Sequence, residues 1–181
     1  MTTTATVIKT GTWVLDPTHT EIGFTVRHLM SKVRGKFEAF EGSIVTAENI
    51  TDSKATATIK LDSINTGTPD RDAHLRSSDF FGVDQNPEMS FESTGVSVDG
   101  DDYTVTGNLT IKDVTKPVEL AVEFLGEGQD PWGGTRVGIE ATTQISRKAF
   151  GIDFNIPLEG DKLMIGDKIS IHITAEAVLQ A

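Results

Sequence analysis

Val118-Glu119-Leu120-Ala121-Val122-Glu123-Phe124 places a large apolar side chain at every second position. That is the period of a β-strand with one packed face and one wet face. Outward from this stretch the pattern recurs at Ile22, Phe24, Val26; Met89, Phe91; Tyr103, Val105; Leu109, Ile111; Val137, Ile139, Ala141; and Ile169, Ile171, Ile173. A chain of such strands is all-β and closes a barrel or stacks a sandwich. Its interior is either filled by side chains or left open for a ligand.

Turn-forming residues divide the strands. Asp16-Pro17-Thr18 is a turn, because proline fixes its own dihedral and restricts its predecessor. Residues 19–29 read as one strand. Gly35 permits a bend, and Phe37 to Val45 continues the sheet with Gly42 as a bulge or close approach. Glu48-Asn49 or Thr51-Asp52 turns the chain before a strand over 54–63. Asp99-Gly100-Asp101-Asp102 is a hairpin signal. Lys112 to Pro117 forms the next connection, and Gly126 to Gly134 a loop carrying Trp132. Phe150 to Leu163 alternates only weakly.

Gly67 to Pro87 breaks the alternation. Asp70 to Arg76 is expected to form a short helix, with Thr68 as cap and Pro69 at its first position. A connection this long is uncommon in a compact domain. In a barrel it would plug one end or cover the mouth. Phe80 and Phe81 then pack into the core or meet a ligand.

The 181 residues suit one domain over 12–179 behind a flexible tail, 1–11. There is no cysteine, hence no disulfide and no thiolate. The formal charge of −11, from 27 acidic and 16 basic residues, argues against nucleic acid as a partner. No basic cluster stands out. An acidic surface repels the anionic leaflet of a membrane, so lipid contact is expected through an apolar tail rather than a basic docking patch. The first residues lack the apolar core of a secretory signal, and no run reaches membrane-spanning length. The expectation is a cytoplasmic protein that is not integral to a membrane, with a processed secreted form as the alternative.

No Gly-x-Ser-x-Gly elbow, His-Glu-x-x-His, phosphate loop or dinucleotide fingerprint occurs. In one continuous strand His19 and His28 would face opposite ways, which argues against a shared metal. His28 follows Phe24 and Val26 on the inward parity, as a satisfied structural histidine or a contact for a polar ligand group. His172 is expected to face outward. His74, near Asp72 and Arg76, suggests ion pairing and loop anchoring as much as catalysis. A binder of one apolar small molecule fits better than an enzyme. No catalytic residue, metal or catalytic cofactor is assigned.

Several motifs carry a resemblance. Trp13-Val-Leu-Asp16-Pro-Thr-His19-Thr-Glu-Ile22-Gly-Phe24-Thr-Val26-Arg-His28-Leu29 is similar to the opening signature of the YceI-like family. Gly35-Lys-Phe37-Glu-Ala-Phe40-Glu-Gly42 resembles its next element. Ser63-Ile64-Asn-Thr66, with Arg71-Asp72-Ala-His74-Leu75-Arg-Ser-Ser78-Asp79-Phe80-Phe81, resembles the central signature. Pro87-Glu-Met89-Ser-Phe91, Gly107-Asn-Leu109-Thr110-Ile111 and Ser146-Arg147-Lys-Ala-Phe150-Gly151 follow in family order.

The resemblance implies a lipocalin-like, extended eight-stranded antiparallel β-barrel with a short helical segment in the long central connection. It further implies binding of an amphiphilic isoprenoid lipid, a polyisoprenoid or isoprenoid quinone, for transport or storage, and a homodimer. A structural or stress-related barrel without lipid, and a lipid-processing hydrolase, are the alternatives. Ligand-contacting positions are expected at Ile22, Phe24, Val26, His28, Phe37, Leu75, Phe80, Phe81, Phe91, Leu109, Val122, Val137 and Ile139. Arg71, Asp72 and His74 are expected to anchor the long connection.

Overall fold

The computed structural model describes residues 8–156 and 164–180. The strands are β1 (Gly11–Leu15), β2 (Glu21–His28), β3 (Ser31–Phe37), β4 (Phe40–Thr46), β5 (Lys54–Lys60), β6 (Ile64–Asn65), β7 (Glu88–Asp99), β8 (Asp102–Ile111), β9 (Val114–Gln129), β10 (Thr135–Ser146) and β11 (Ile165–Leu179). One helix, α1 (Pro69–Arg76), lies between β6 and β7. All pairings are antiparallel. The order β1-β4-β5-β7-β8-β9-β10-β11 closes on itself where Trp13 of β1 meets Leu179 of β11. At the other end β11 pairs instead with β2, followed by β3 and β6.

The eight staves of this barrel are eleven strands because three staves are broken. Asp16 caps a 3-10 turn over Pro17–His19 that separates β1 from β2. Glu38 and Ala39 separate β3 from β4, and a 3-10 turn over Leu61–Ser63 separates β5 from β6. The strand expected over 54–63 therefore ends at Lys60, and His19 sits in a turn ahead of β2. Gly35 does not bend the chain. It lies inside β3 opposite Phe24, whose ring occupies the space a side chain there would need. Gly42 is a close approach, since a β-carbon there would come 2.7 Å from Cδ1 of Leu15.

Two connections are shorter than expected. Lys112 and Asp113, both at positive φ, alone turn β8 into β9. Pro117 therefore lies inside β9. It stands opposite Asn108, and the ladder of β9 with β10 ends above it at Ala121–Thr142. A residue without an N–H is tolerated where no neighbour requires the donor. At the far end β9 runs to Gln129, so the Trp132 loop is confined to residues 130–134.

Of the expected tail, residues 1–7 lie outside the described residues. Lys9 offers its carbonyl to Trp13 Nε1 at 3.3 Å and to the Thr46 hydroxyl at 2.6 Å, and Gly11 opens β1. Residues 157–163 of the weakly alternating stretch also lie outside.

Two apolar clusters pack within the barrel. Trp13, Val137 and Ala177 close the end where β1 meets β11. A larger cluster, including Phe37, Leu61, Ile64, Phe80, Leu109 and Phe150, occupies the other half.

Candidate functional site: an apolar bore in two chambers

The inward faces of the long strands leave two apolar cavities in line. The larger, about 280 Å³, lies at the α1 end. The smaller, about 180 Å³, lies toward the Trp13 cluster. Single strands serve both. β11 gives Ile165, Ile169 and Ile171 to the larger and Ile173 and Ala175 to the smaller, while β7 gives Met89 and then Phe91. The period-two pattern lines a bore because every inward residue of a stave meets the same axis at a different height.

Phe24, Val26, His28, Phe37, Leu75, Phe80 and Phe81 face the larger chamber. Ile22, Phe91, Val122 and Ile139 face the smaller one. Two expected residues face neither. Leu109 is buried in the core between them, with Ile111 of the same strand in the larger chamber and Val105 in the smaller. Val137 belongs to the Trp13 cluster, so its inward side chain meets tryptophan rather than open space.

The segment from β6 to β7 covers one side of the larger chamber. Asp72 is buried and accepts hydrogen bonds from the Thr66 amide, at 2.9 Å, and the Thr66 hydroxyl. Arg71 donates from Nε to the same hydroxyl oxygen at 2.7 Å and from Nη2 to the Thr66 carbonyl at 2.8 Å. Thr66, rather than an Arg71–Asp72 ion pair, is the hub. Thr68 stands at the helix N-cap without a side-chain cap bond. His74 pairs through Nε2 with Asp79 at 2.9 Å, not with Asp72, and lies edge-on to the rings of Phe80 and Phe154, 5.0 Å from each. Arg76 donates to the Asp62 carbonyl.

Sequence reasoning left Arg147 without a role. It is buried at the larger chamber's wall, and its guanidinium donates to the carbonyls of Gly166 (2.9 Å), Ile152 (3.0 Å), Phe154 (2.8 Å) and Ile165 (3.3 Å). Burial pushes its pKa down, opposed by Asp167 and Asp153; arginine nevertheless stays protonated. Phe150, Ile152 and Phe154 from the same connection also line the chamber. The signal available was the Ser146-to-Gly151 motif. Its contribution to the wall depends on how the irregular segment after β10 folds back, which periodicity does not report.

Among the described residues the chamber wall thus contains four polar side chains, His28, Arg71, His74 and Arg147, among apolar ones. Among the described residues no hydrogen bond reaches the His28 ring. His172 is exposed on the outer face, as expected.

Outside the barrel, Asp16, His19 and Glu176 bring potential metal-ligand atoms within 4.8 Å of one another. Arg136 already engages this cluster. Its Nη1 is 2.7 Å from Asp16 Oδ2 and 3.9 Å from Glu176 Oε2, and its Nε is 2.8 Å from Asp130. The group is an ion-pair network joining the β1–β2 turn, β10, β11 and the Trp132 loop. Arg136 first, and then His19, hold the Asp16 carboxyl well below the usual carboxylate range.

The YceI-like domain model matches residues 13–177. A UPF0312 protein of Photorhabdus laumondii is 47% identical over 134 residues, which cover 73% of this chain and 70% of that protein. The structure of a Campylobacter jejuni YceI protein superposes with a TM-score of 0.71 at 29% identity, covering 86% of this chain and 90% of that one. A polyisoprenoid binding domain from Saccharophagus degradans shares the fold at a TM-score of 0.68 and 17% identity, over 95% and 100% of the two chains.

Proposed function

Because the chain belongs to the YceI-like family, we propose that it binds a long-chain polyisoprenoid or isoprenoid quinone along the barrel axis, for transport or storage. The observation that carries this reading is the pair of apolar chambers set end to end. Small-molecule sites run from roughly 300 to 1,000 Å³, so a long tail needs both chambers. Each buried methylene gains roughly 0.8 kcal/mol relative to water, and a prenyl tail therefore binds without a charged anchor. Polar side chains stand at the walls of both chambers, His28 and His74 in the larger and Lys54 and Tyr103 in the smaller, and the tail extends past Phe24, Phe37 and Leu109 from one into the other. The description of the Saccharophagus degradans domain as polyisoprenoid binding supports this ligand class.

The chain is read as a binder rather than a catalyst. It offers no thiol, and Arg71 and His74 are occupied by Thr66 and Asp79. The test is organic extraction of protein purified from its native host, followed by mass spectrometry. A stoichiometric prenyl lipid or quinone is expected. Repeated absence of lipid, with no uptake of added polyprenol, would favour a structural barrel; turnover of a lipid ester would favour a hydrolase. A homodimer is part of the same reading. Sedimentation at the mass of one 19.5 kDa chain across micromolar concentrations would count against it.

A further inference from the structure

One element has the opposite sign from the rest of this acidic chain. From Ile22 to Phe37, the paired positions of β2 and β3, there is no aspartate or glutamate, and Glu21 and Glu38 flank them at the end away from the tip. Phe24, Val26, Val33 and Phe37 face the bore, and alternation sends Arg27, Lys32, Arg34 and Lys36 to the outer face, where all four are exposed. Arg27 and Lys32 stand directly opposite each other. Like charges so placed destabilise a sheet. None of the four joins an ion pair among the described residues. Lys168, exposed on the adjoining β11, extends the patch. The nearby Asp167 is engaged by the Ser146 hydroxyl and the Lys148 amide.

The hairpin tip is apolar. Leu29 is 49% exposed and Met30 fully so. Leu29 also holds a φ of 56°, a left-handed conformation uncommon for a residue with a bulky side chain. The tip adjoins the larger chamber: the Leu29 amide donates to the Met164 carbonyl at 2.8 Å, and Met164, His28 and Val33 are chamber-lining.

We propose that the β2–β3 hairpin docks the barrel on an anionic lipid bilayer. Arg27, Lys32, Arg34 and Lys36 meet the headgroups, and Leu29 and Met30 enter between them. Charge complementarity selects this surface, and the apolar tip distinguishes it from a nucleic acid. Screening over about 8 Å at physiological salt lets this patch act despite the net charge of −11. Docking sets the larger chamber beside the membrane in which an apolar ligand resides. That last step rests on the lipid-binding reading; docking itself does not.

The test is co-sedimentation of the full chain with vesicles of phosphatidylcholine alone and of equal parts phosphatidylcholine and phosphatidylglycerol. Binding is expected only to the mixed vesicles and should weaken with salt. Lys32→Gln/Arg34→Gln should weaken it about thirty-fold, and Leu29→Ser/Met30→Ser should weaken it with unchanged melting. Lys116→Gln, exposed on β9 away from the hairpin, should leave it intact. No binding of the wild type, binding insensitive to both hairpin variants, or preference for a DNA duplex over the mixed vesicles would each overturn the proposal. Lipid content by mass spectrometry is read separately. Docking by a protein that carries and takes up no lipid would sink the lipid-binding reading alone; bound lipid without docking would sink docking alone.

Discussion

The ring of Phe24 lies over Gly35, its direct cross-strand partner: a β-carbon at position 35 would overlap Cζ of that ring and come 2.9 Å from the Thr66 methyl. The same ring forms part of the larger chamber's wall and packs on Phe37 at 5.6 Å between centroids. Gly35→Ala should therefore cost about 1–3 kcal/mol by overpacking and drive the ring into the chamber, reducing uptake of a polyprenol. Adding Phe24→Leu should restore both. Urea unfolding and lipid loading measure the two effects, and a Gly35→Ala protein of unchanged stability and loading would refute the steric account.

Ala141 is buried and faces the smaller chamber. Ala141→Leu should fill part of that space while leaving the larger chamber alone. On the two-chamber reading, affinity for long polyprenols falls while that for short prenyl alcohols holds. A competition series of increasing tail length checks this; equal loss at every length would mean that the tail does not reach the smaller chamber.

Phe80 is buried, whereas Phe81 is only partly so. The larger stability loss is therefore expected at Phe80→Ala, about 3–5 kcal/mol. Phe81→Ala should retain more stability and yet lose ligand, because its ring faces the chamber and meets Phe37. If folded Phe81→Ala protein binds prenyl lipid as tightly as the wild type, the segment is packing alone.

Arg147 satisfies four main-chain carbonyls from a planar fork. Lysine presents three donors from a single atom and cannot reproduce that geometry. Each buried group left unpaired costs about 1–3 kcal/mol, so Arg147→Lys should be destabilised by about 3 kcal/mol or more. A urea midpoint within error of the wild type would show that the guanidinium is dispensable to the connection after β10.

Arg136 lowers the pKa of both Asp16 and Asp130. A carboxylate whose folded pKa lies below its unfolded value, about 3.9 for aspartate, contributes stability above that value and loses it as pH falls through the folded one. The contribution of this network should be complete above about pH 5 and decline below about pH 4. Asp16→Asn should lower stability at neutral pH and make the acid decline shallower. Parallel unfolding-midpoint curves for wild type and variant would remove Asp16 from the acid response.

The strands and most inward positions were readable in the sequence because alternation is local. Ile22, Phe24, Val26, Phe91, Val122 and Ile139 face the bore as their parity demands. The Asp16-Pro17 turn, the Asp99–Asp102 hairpin and α1 were readable for the same reason, since capping and turn chemistry act over a few residues. Parity states that a residue faces inward, but not what it meets there. Leu109 and Val137 face inward onto packed side chains, because open space along the axis depends on what all eight staves contribute at one height. Arg147 and Phe154 entered the chamber wall through an aperiodic segment. The four cations of the β2–β3 hairpin are separated by neutral residues in the chain, and antiparallel pairing gathers them on one face. Closure of the barrel, where β11 meets β1 at one end and β2 at the other, brings together residues more than a hundred positions apart, and only the tertiary structure decides which of them share a wall.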